Sequence, residues 1–109
     1  MFAGVDLEAE PLVDRLAGVG FDPSRPALVS WLGVSMYLTA EAVAATLAAV
    51  GGLAAGTELV VEYALPPALR DEAGQAYAGF ALPVAEQRGE PWLSFFTPSS
   101  CPPCWRRTA

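Results

Sequence analysis

One mostly apolar run decides the fold class: Ala27-Leu28-Val29-Ser30-Trp31-Leu32-Gly33-Val34. Pro26 precedes the run and Gly33 lies near its far end, so its length and borders suit a strand better than a helix. A strand with apolar residues at consecutive positions is typical of a parallel sheet whose two faces are both covered by helices. The run therefore predicts a strand of an α/β fold that is buried on both faces.

Helix and strand patterns alternate on either side of this run. Before the run, the sequence predicts a short helix that follows Pro11 and ends at Gly18 or Gly20, and then a turn-rich loop over 21–26. After the strand over 27–34, it predicts a helix over 40–50 that is capped by Thr39 and ended by Gly51-Gly52. A second buried strand over 57–65, ended by Pro66-Pro67, and a third helix over 68–80 follow. In the third helix, the spacing predicts one apolar face and an outward polar group. That face is Leu69, Ala73, Ala76 and Phe80, with Arg70, Asp71 and Glu72 turned outward.

This order of elements predicts parallel strands joined by right-handed crossovers. Two parallel strands do not form a self-sufficient sheet, and strands this apolar normally lie in the middle of a larger one. We therefore expect the chain to be part of a bigger sheet and to carry apolar surface that a partner covers.

Composition and charge disfavour several classes of function. Hydrophobic residues make up 53% of the chain and charged ones 17%, which is typical of a globular protein. The net charge of -6 disfavours nucleic acid, because binding phosphates needs a basic surface. The most apolar stretch, 38–65, contains Glu41, Glu58 and Glu62, so no membrane span is predicted. With no pattern of a signal peptide at the start, we expect a cytoplasmic protein.

The two cysteines, Cys101 and Cys104, form a Cys-x-x-Cys pair in a tail of different composition over 99–109. A redox pair or half of a zinc site would use this spacing, but the chain has no histidine and no other cysteine to complete a zinc site. A shift of reading frame after Pro98 and a disordered tail are the alternatives. We expect no metal site, and the lack of histidine also excludes histidine-based catalytic triads within this chain.

Several ordered segments resemble one enzyme family. They are Val5-Asp6-Leu7, the segment 20–27 (Gly-Phe-Asp-Pro-Ser-Arg-Pro-Ala), the segment 31–39 (Trp-Leu-Gly-Val-Ser-Met-Tyr-Leu-Thr), the strand 58–65 with its prolines, and the segment 89–98 (Gly-Glu-Pro-Trp-Leu-Ser-Phe-Phe-Thr-Pro). Together, over roughly 3–98, they are similar to the leucine carboxyl methyltransferase-like family of class I S-adenosylmethionine-dependent methyltransferases. The resemblance implies a Rossmann-like sheet, S-adenosyl-L-methionine as cofactor, and methyl transfer to oxygen of a small-molecule or peptide acceptor.

The resemblance also implies cofactor-binding residues. Asp6 would accept a hydrogen bond from the exocyclic amine of adenine and Leu7 would contact the adenine ring, although Asp6 can also be a solvated carboxylate near a helix start. Leu32 and Gly33, at the end of the first strand, would line the cofactor pocket. Relatives often carry an acidic residue where Leu32 stands. Methyl transfer needs mainly alignment of the reactants, so we assign no catalytic residue.

The family's glycine-rich loop after the first strand has no counterpart here, because Gly18 and Gly20 suit the end of a helix. We therefore expect residues 1–98 to be a partial methyltransferase domain, from a truncated or frame-shifted gene, that is inactive alone. The alternative is a non-enzymatic interaction module that pairs through exposed sheet edges, and self-association through apolar surface is expected in that case.

Overall fold

The computed structural model describes residues 2–97, in which helices flank a two-stranded parallel sheet. The elements are α1 (Leu12–Ala17), β1 (Leu28–Trp31), a 3-10 turn (Ser35–Tyr37), α2 (Ala40–Gly51), β2 (Glu58–Val61), a second 3-10 turn (Pro67–Leu69) and α3 (Glu72–Gln87). This architecture confirms the predicted α/β class and is compatible with part of a Rossmann-like fold. The predictions about Cys101, Cys104 and the tail lie outside the described residues.

The sheet pairs β1 and β2 in parallel, with α2 as the connection between them. The register places Leu28 opposite Glu58 and Trp31 opposite Val61. A backbone bond extends the ladder beyond Val61, because the Glu62 N–H donates to the Trp31 carbonyl at 3.0 Å. The carboxyl ends of both strands therefore lie side by side at one edge of the sheet.

Helix α2 provides the core together with one face of the sheet. Trp31, Val43 and Leu47 form a buried cluster. Partly buried apolar side chains pack around it: Leu7, Leu38, Leu59, Val61 and Phe96. Burial of a Val or Leu side chain stabilises a fold by roughly 1.5–3 kcal/mol. The packing of α2 against the sheet therefore stabilises the fold.

The cap of α2 confirms a sequence prediction. Thr39 has extended backbone angles and its hydroxyl accepts a hydrogen bond from the Ala42 N–H at 3.2 Å. The helix ends at Gly51 with Gly52 as its C-cap, one residue beyond the predicted end. The Thr39 side chain satisfies one of the N–H groups that have no partner within the helix.

The prediction that both strands are buried on two faces is wrong for the described part of the chain. Leu28 is 70% exposed and Val60 is 53% exposed. Side chains alternate between the two faces of a strand, and α2 covers only the face that carries Trp31 and Val61. The strands are also shorter than predicted, with four residues each.

The third helix begins and ends later than predicted. Asp71 is its N-cap, with Oδ1 accepting from the Gly74 N–H at 2.7 Å, and residues 67–69 form a separate 3-10 turn. The helix continues through Pro83 to Gln87. A proline removes one backbone hydrogen bond from a helix without always ending it.

The predicted buried face of this helix is wrong as well. Phe80 is 70% exposed, and the residues of α3 that are buried are Ala78 and Ala85. Arg70, expected to turn outward, is partly buried, and its Nε donates to the Leu65 carbonyl at 2.9 Å. The reason is that Arg70 precedes the helix and does not follow its periodicity.

Within residues 2–97, none of the helices has the length and apolar character needed to cross a membrane.

Candidate functional site

A cavity of about 390 Å³ lies at the carboxyl ends of the two strands. Gly33 borders it after β1, and Glu62 and Tyr63 border it after β2. Open α/β sheets bind ligands at this edge, because the loops that follow the strands leave a crevice there. The position therefore makes this cavity the candidate functional site.

A glycine and a carboxylate join the two strand ends. Gly33 has φ +70°, and its N–H donates to Glu62 Oε1 at 2.9 Å. The buried Ser35 hydroxyl donates to the Glu62 backbone carbonyl at 2.6 Å. Glu62 is thus held through both its side chain and its backbone, which fixes the floor of the cavity relative to the sheet.

The segment 91–97 contributes Trp92 to the lining of the cavity. The Leu93 and Ser94 N–H groups both donate to the Met36 carbonyl, and the Phe96 N–H donates to the Ala64 carbonyl at 2.9 Å. The segment therefore crosses the loops that follow both strands. It places the Trp92 ring 6.4 Å from the Tyr77 ring of α3, which brings two aromatic side chains together in the lining.

Arg70 is the cation of this lining. Its guanidinium lies 5.5 Å from the centre of the Phe95 ring, within the range of cation–π attraction. Its Nη2 is buried without a hydrogen-bond partner, and the same holds for Trp92 Nε1. A buried donor without a partner costs about 1–3 kcal/mol, so both groups gain from any rearrangement that offers an acceptor.

The lining favours a flat, mainly apolar group over a strongly charged one. Tyr63, Tyr77 and Trp92 supply aromatic surface, while Glu62 and Arg70 supply one charge of each sign. No group of three or more potential metal ligands occurs among the residues that the structure describes. The arrangement can bind and orient a ligand. We assign no proton transfer to the side chains that line the cavity.

The four predicted cofactor residues do not lie together in the structure. Gly33 lines the cavity, while Leu32 is 56% exposed and does not border it. Leu7 packs against the core cluster and lines a second cavity of about 450 Å³ between α2 and the start of the chain. The exposed Asp6 accepts from the Glu8 N–H through Oδ1 at 2.9 Å. Their roles toward adenine remain predictions.

The sequence patterns did not predict several residues that line the cavity, among them Glu62, Tyr63, Arg70, Tyr77 and Trp92. A usable signal existed for Glu62, because the residue after a second parallel strand lies at the same sheet edge as the residue after the first. Trp92 had no such signal. Its place depends on the hydrogen bonds of segment 91–97 with Met36 and Ala64.

One titration shift occurs away from the cavity, in the loop before β1. The Ser24 hydroxyl and then the Ser24 N–H donate to Asp22, and these bonds hold the pKa of the Asp22 carboxyl below its ordinary value. Asp22 is exposed, and it stabilises the local turn rather than a ligand site.

A protein-family model matches the first part of the chain. Residues 1–51 match the family model of leucine carboxyl methyltransferase. The matched part includes Asp6, Leu7, Leu32 and Gly33, and it confirms the resemblance predicted from the sequence over this part of the chain. No curated protein and no solved structure matched.

Proposed function

We propose, from the match of residues 1–51 to the leucine carboxyl methyltransferase family, that this chain holds the adenine side of an S-adenosyl-L-methionine pocket. In the intact enzyme this pocket would serve methyl transfer to an oxygen of a small-molecule or peptide acceptor. The family match is the observation that carries the proposal. The chain by itself binds the cofactor weakly and does not turn over.

Two features support the claim of weak binding. The sequence has no glycine-rich turn after a strand, which is the element that grips the methionine end of the cofactor in the family. In addition, Asp6 and Leu7 lie apart from the strand-end cavity that Gly33 borders. A ligand can therefore use only part of the contacts that a complete pocket would offer.

Calorimetric titration separates the two ends of the cofactor. We expect adenosine and S-adenosyl-L-methionine to bind with similar millimolar dissociation constants, while methionine alone gives no heat of binding. A micromolar constant for S-adenosyl-L-methionine would overturn the claim of an incomplete site. Binding of methionine but not adenosine would overturn the assignment of the adenine side.

Asp6→Asn tests the proposed adenine contact, with Asp14→Asn on α1 as the matched control. Both carboxylates are exposed, and both substitutions remove one negative charge. If Asp6 accepts a hydrogen bond from the adenine amine, Asp6→Asn weakens adenosine binding several-fold while Asp14→Asn leaves it unchanged, because a bond to a charged acceptor is stronger than one to an amide. Equal effects of the two substitutions would remove Asp6 from the site.

The second candidate function is a non-enzymatic interaction module. The observation that favours it is the open sheet, in which β1 and β2 each have one edge that is unpaired within the described residues. Such edges favour pairing with another strand. Sedimentation velocity tests this function: a concentration-independent monomer with a cooperative melt would exclude self-pairing through these edges.

A further inference from the structure

We propose that the open face of the β1–β2 sheet docks an amphipathic helix of another polypeptide, whose apolar stripe is flanked by Lys or Arg. This inference concerns the face opposite α2 and goes beyond methyl transfer. It does not depend on cofactor binding, so the two proposals succeed or fail separately.

The apolar part of this open face consists of Leu28 and Leu32 from the first strand and its end, and Val60 from the second. Because side chains alternate along a strand, Leu28 and Val60 lie on one face of the sheet. Trp31 and Val61 lie on the other face and pack against α2. Each of the three exposed side chains leaves more than half of its surface in water. Parallel sheets normally have both faces covered, so three such side chains on one face indicate a missing layer.

The acidic part of the face lies along β2. Glu58 and Glu62 are exposed and flank Val60 at the two positions that share its side of the strand. Glu62 Oε1 accepts from the Gly33 N–H, which keeps that carboxylate at the strand end. Ser30, which pairs with Val60, is also exposed on this face between Leu28 and Leu32. The face therefore combines three apolar side chains and one hydroxyl with a carboxylate at each end of β2, and Lys or Arg beside an apolar stripe would complement the two carboxylates.

Size and charge point to a helix and away from a second copy. Four strand residues span about 13 Å, the length of roughly nine helical residues. A second copy placed on this face would bring two sets of Glu58 and Glu62 together and add its own net charge of -6. Like charges juxtaposed at an interface repel each other, so a basic partner fits better than an identical chain.

Fluorescence anisotropy with a labelled 18-residue amphipathic helical peptide tests the proposal on the full chain. The probe carries a Leu stripe flanked by Lys, and the control peptide replaces each Lys by Glu. We expect the Leu/Lys peptide to bind and the Leu/Glu peptide to bind at least tenfold more weakly. Equal binding of the two peptides would overturn the charge argument.

Variants locate the site. Leu28→Ser should weaken binding of the Leu/Lys peptide by about tenfold, since most of a Leu side chain is lost from the contact. Phe80→Ser on α3 is the matched control, because Phe80 has the same exposed fraction as Leu28, and binding should be unchanged. Val60→Thr keeps the β-branched shape that suits a strand and should weaken binding several-fold without unfolding the chain.

Charge reversal in Glu58→Lys should weaken binding of the Leu/Lys peptide several-fold and strengthen binding of the Leu/Glu peptide several-fold. Loss of binding in Phe80→Ser equal to that in Leu28→Ser would overturn the location of the site. Sedimentation that shows a dimer of the native chain, abolished by Leu28→Ser, would also overturn the proposal, since a second copy would then be the occupant.

Discussion

The N-cap of α2 offers the sharpest test of how the start of the chain is attached to the core. The Thr39 hydroxyl accepts from the Ala42 N–H and donates to Glu8 Oε1 at 2.9 Å. The Thr39 N–H donates to the other oxygen, Glu8 Oε2, also at 2.9 Å. One threonine therefore caps the helix and fixes the segment that contains Asp6 and Leu7.

Replacing Thr39 by alanine removes the two hydroxyl bonds and leaves the backbone bond to Glu8 in place. Loss of an N-cap threonine costs about 1 kcal/mol. The bond to Glu8 adds about 0.5 kcal/mol, because Glu8 is exposed and water competes with it. We expect the free energy of unfolding to fall by about 1.5 kcal/mol, which lowers Tm by roughly 6–12 °C for a domain of this size.

Urea unfolding followed by circular dichroism measures this change through the midpoint at constant m-value. Thr39→Ser keeps the oxygen and should cost less than about 0.5 kcal/mol. A cycle with Glu8→Ala should give a coupling of roughly 0.5–1 kcal/mol between the two residues. A Thr39→Ala variant within about 0.3 kcal/mol of the native chain, or a Thr39→Ser variant that is equally destabilised, would refute the capping argument.

Two further predictions concern a glycine of the site and the shifted carboxyl. Gly33→Ala should lower the free energy of unfolding by about 1–2 kcal/mol, because Gly33 has a positive φ. Gly52→Ala is the control: Gly52 has a negative φ, so this substitution should be neutral or should stabilise the fold by up to about 1 kcal/mol. Equal urea midpoints for the two variants would contradict this prediction. Ser24→Ala should raise the pKa of Asp22 toward its ordinary value, as followed by NMR titration of the carboxyl carbon. The folded pKa of Asp22 lies below its unfolded value of about 3.9, so the stabilisation from its bonds to Ser24 is present above that pH and is lost as the pH falls through the folded pKa. The free energies of unfolding of the native chain and of Ser24→Ala should therefore converge at low pH.

The strand-end cavity gains its shape from parts of the chain that are distant in sequence. Gly33, Glu62 and Trp92 come from three separate loops, and the bond from the Gly33 N–H to Glu62 joins residues 29 positions apart. The family match covers the first of these loops but neither of the other two. Any ligand selectivity that Arg70 and Trp92 bring to this site is therefore independent of the part of the chain that matches the family.

Local patterns were enough to predict the α/β class, the order of the elements and the bounds of α2 to within one residue. The reason is physical: a cap such as Thr39 and a helix end such as Gly51-Gly52 act over about four residues, so their effect is visible in neighbouring letters. The Asp-Leu pair and the strand end after Trp31 were likewise visible as ordered segments, and the family match over residues 1–51 confirms the resemblance they carry.

Burial and the composition of the site required the tertiary structure. An apolar strand residue such as Leu28 or Val60 looks the same in sequence whether or not a helix covers it, and only the position of α2 shows that one sheet face is open. Arg70 likewise turns toward the Leu65 carbonyl and not outward, which the helical spacing of its segment did not predict. Contacts between distant segments select one face and one cavity, because packing depends on which surfaces meet and not on the periodicity of either segment alone.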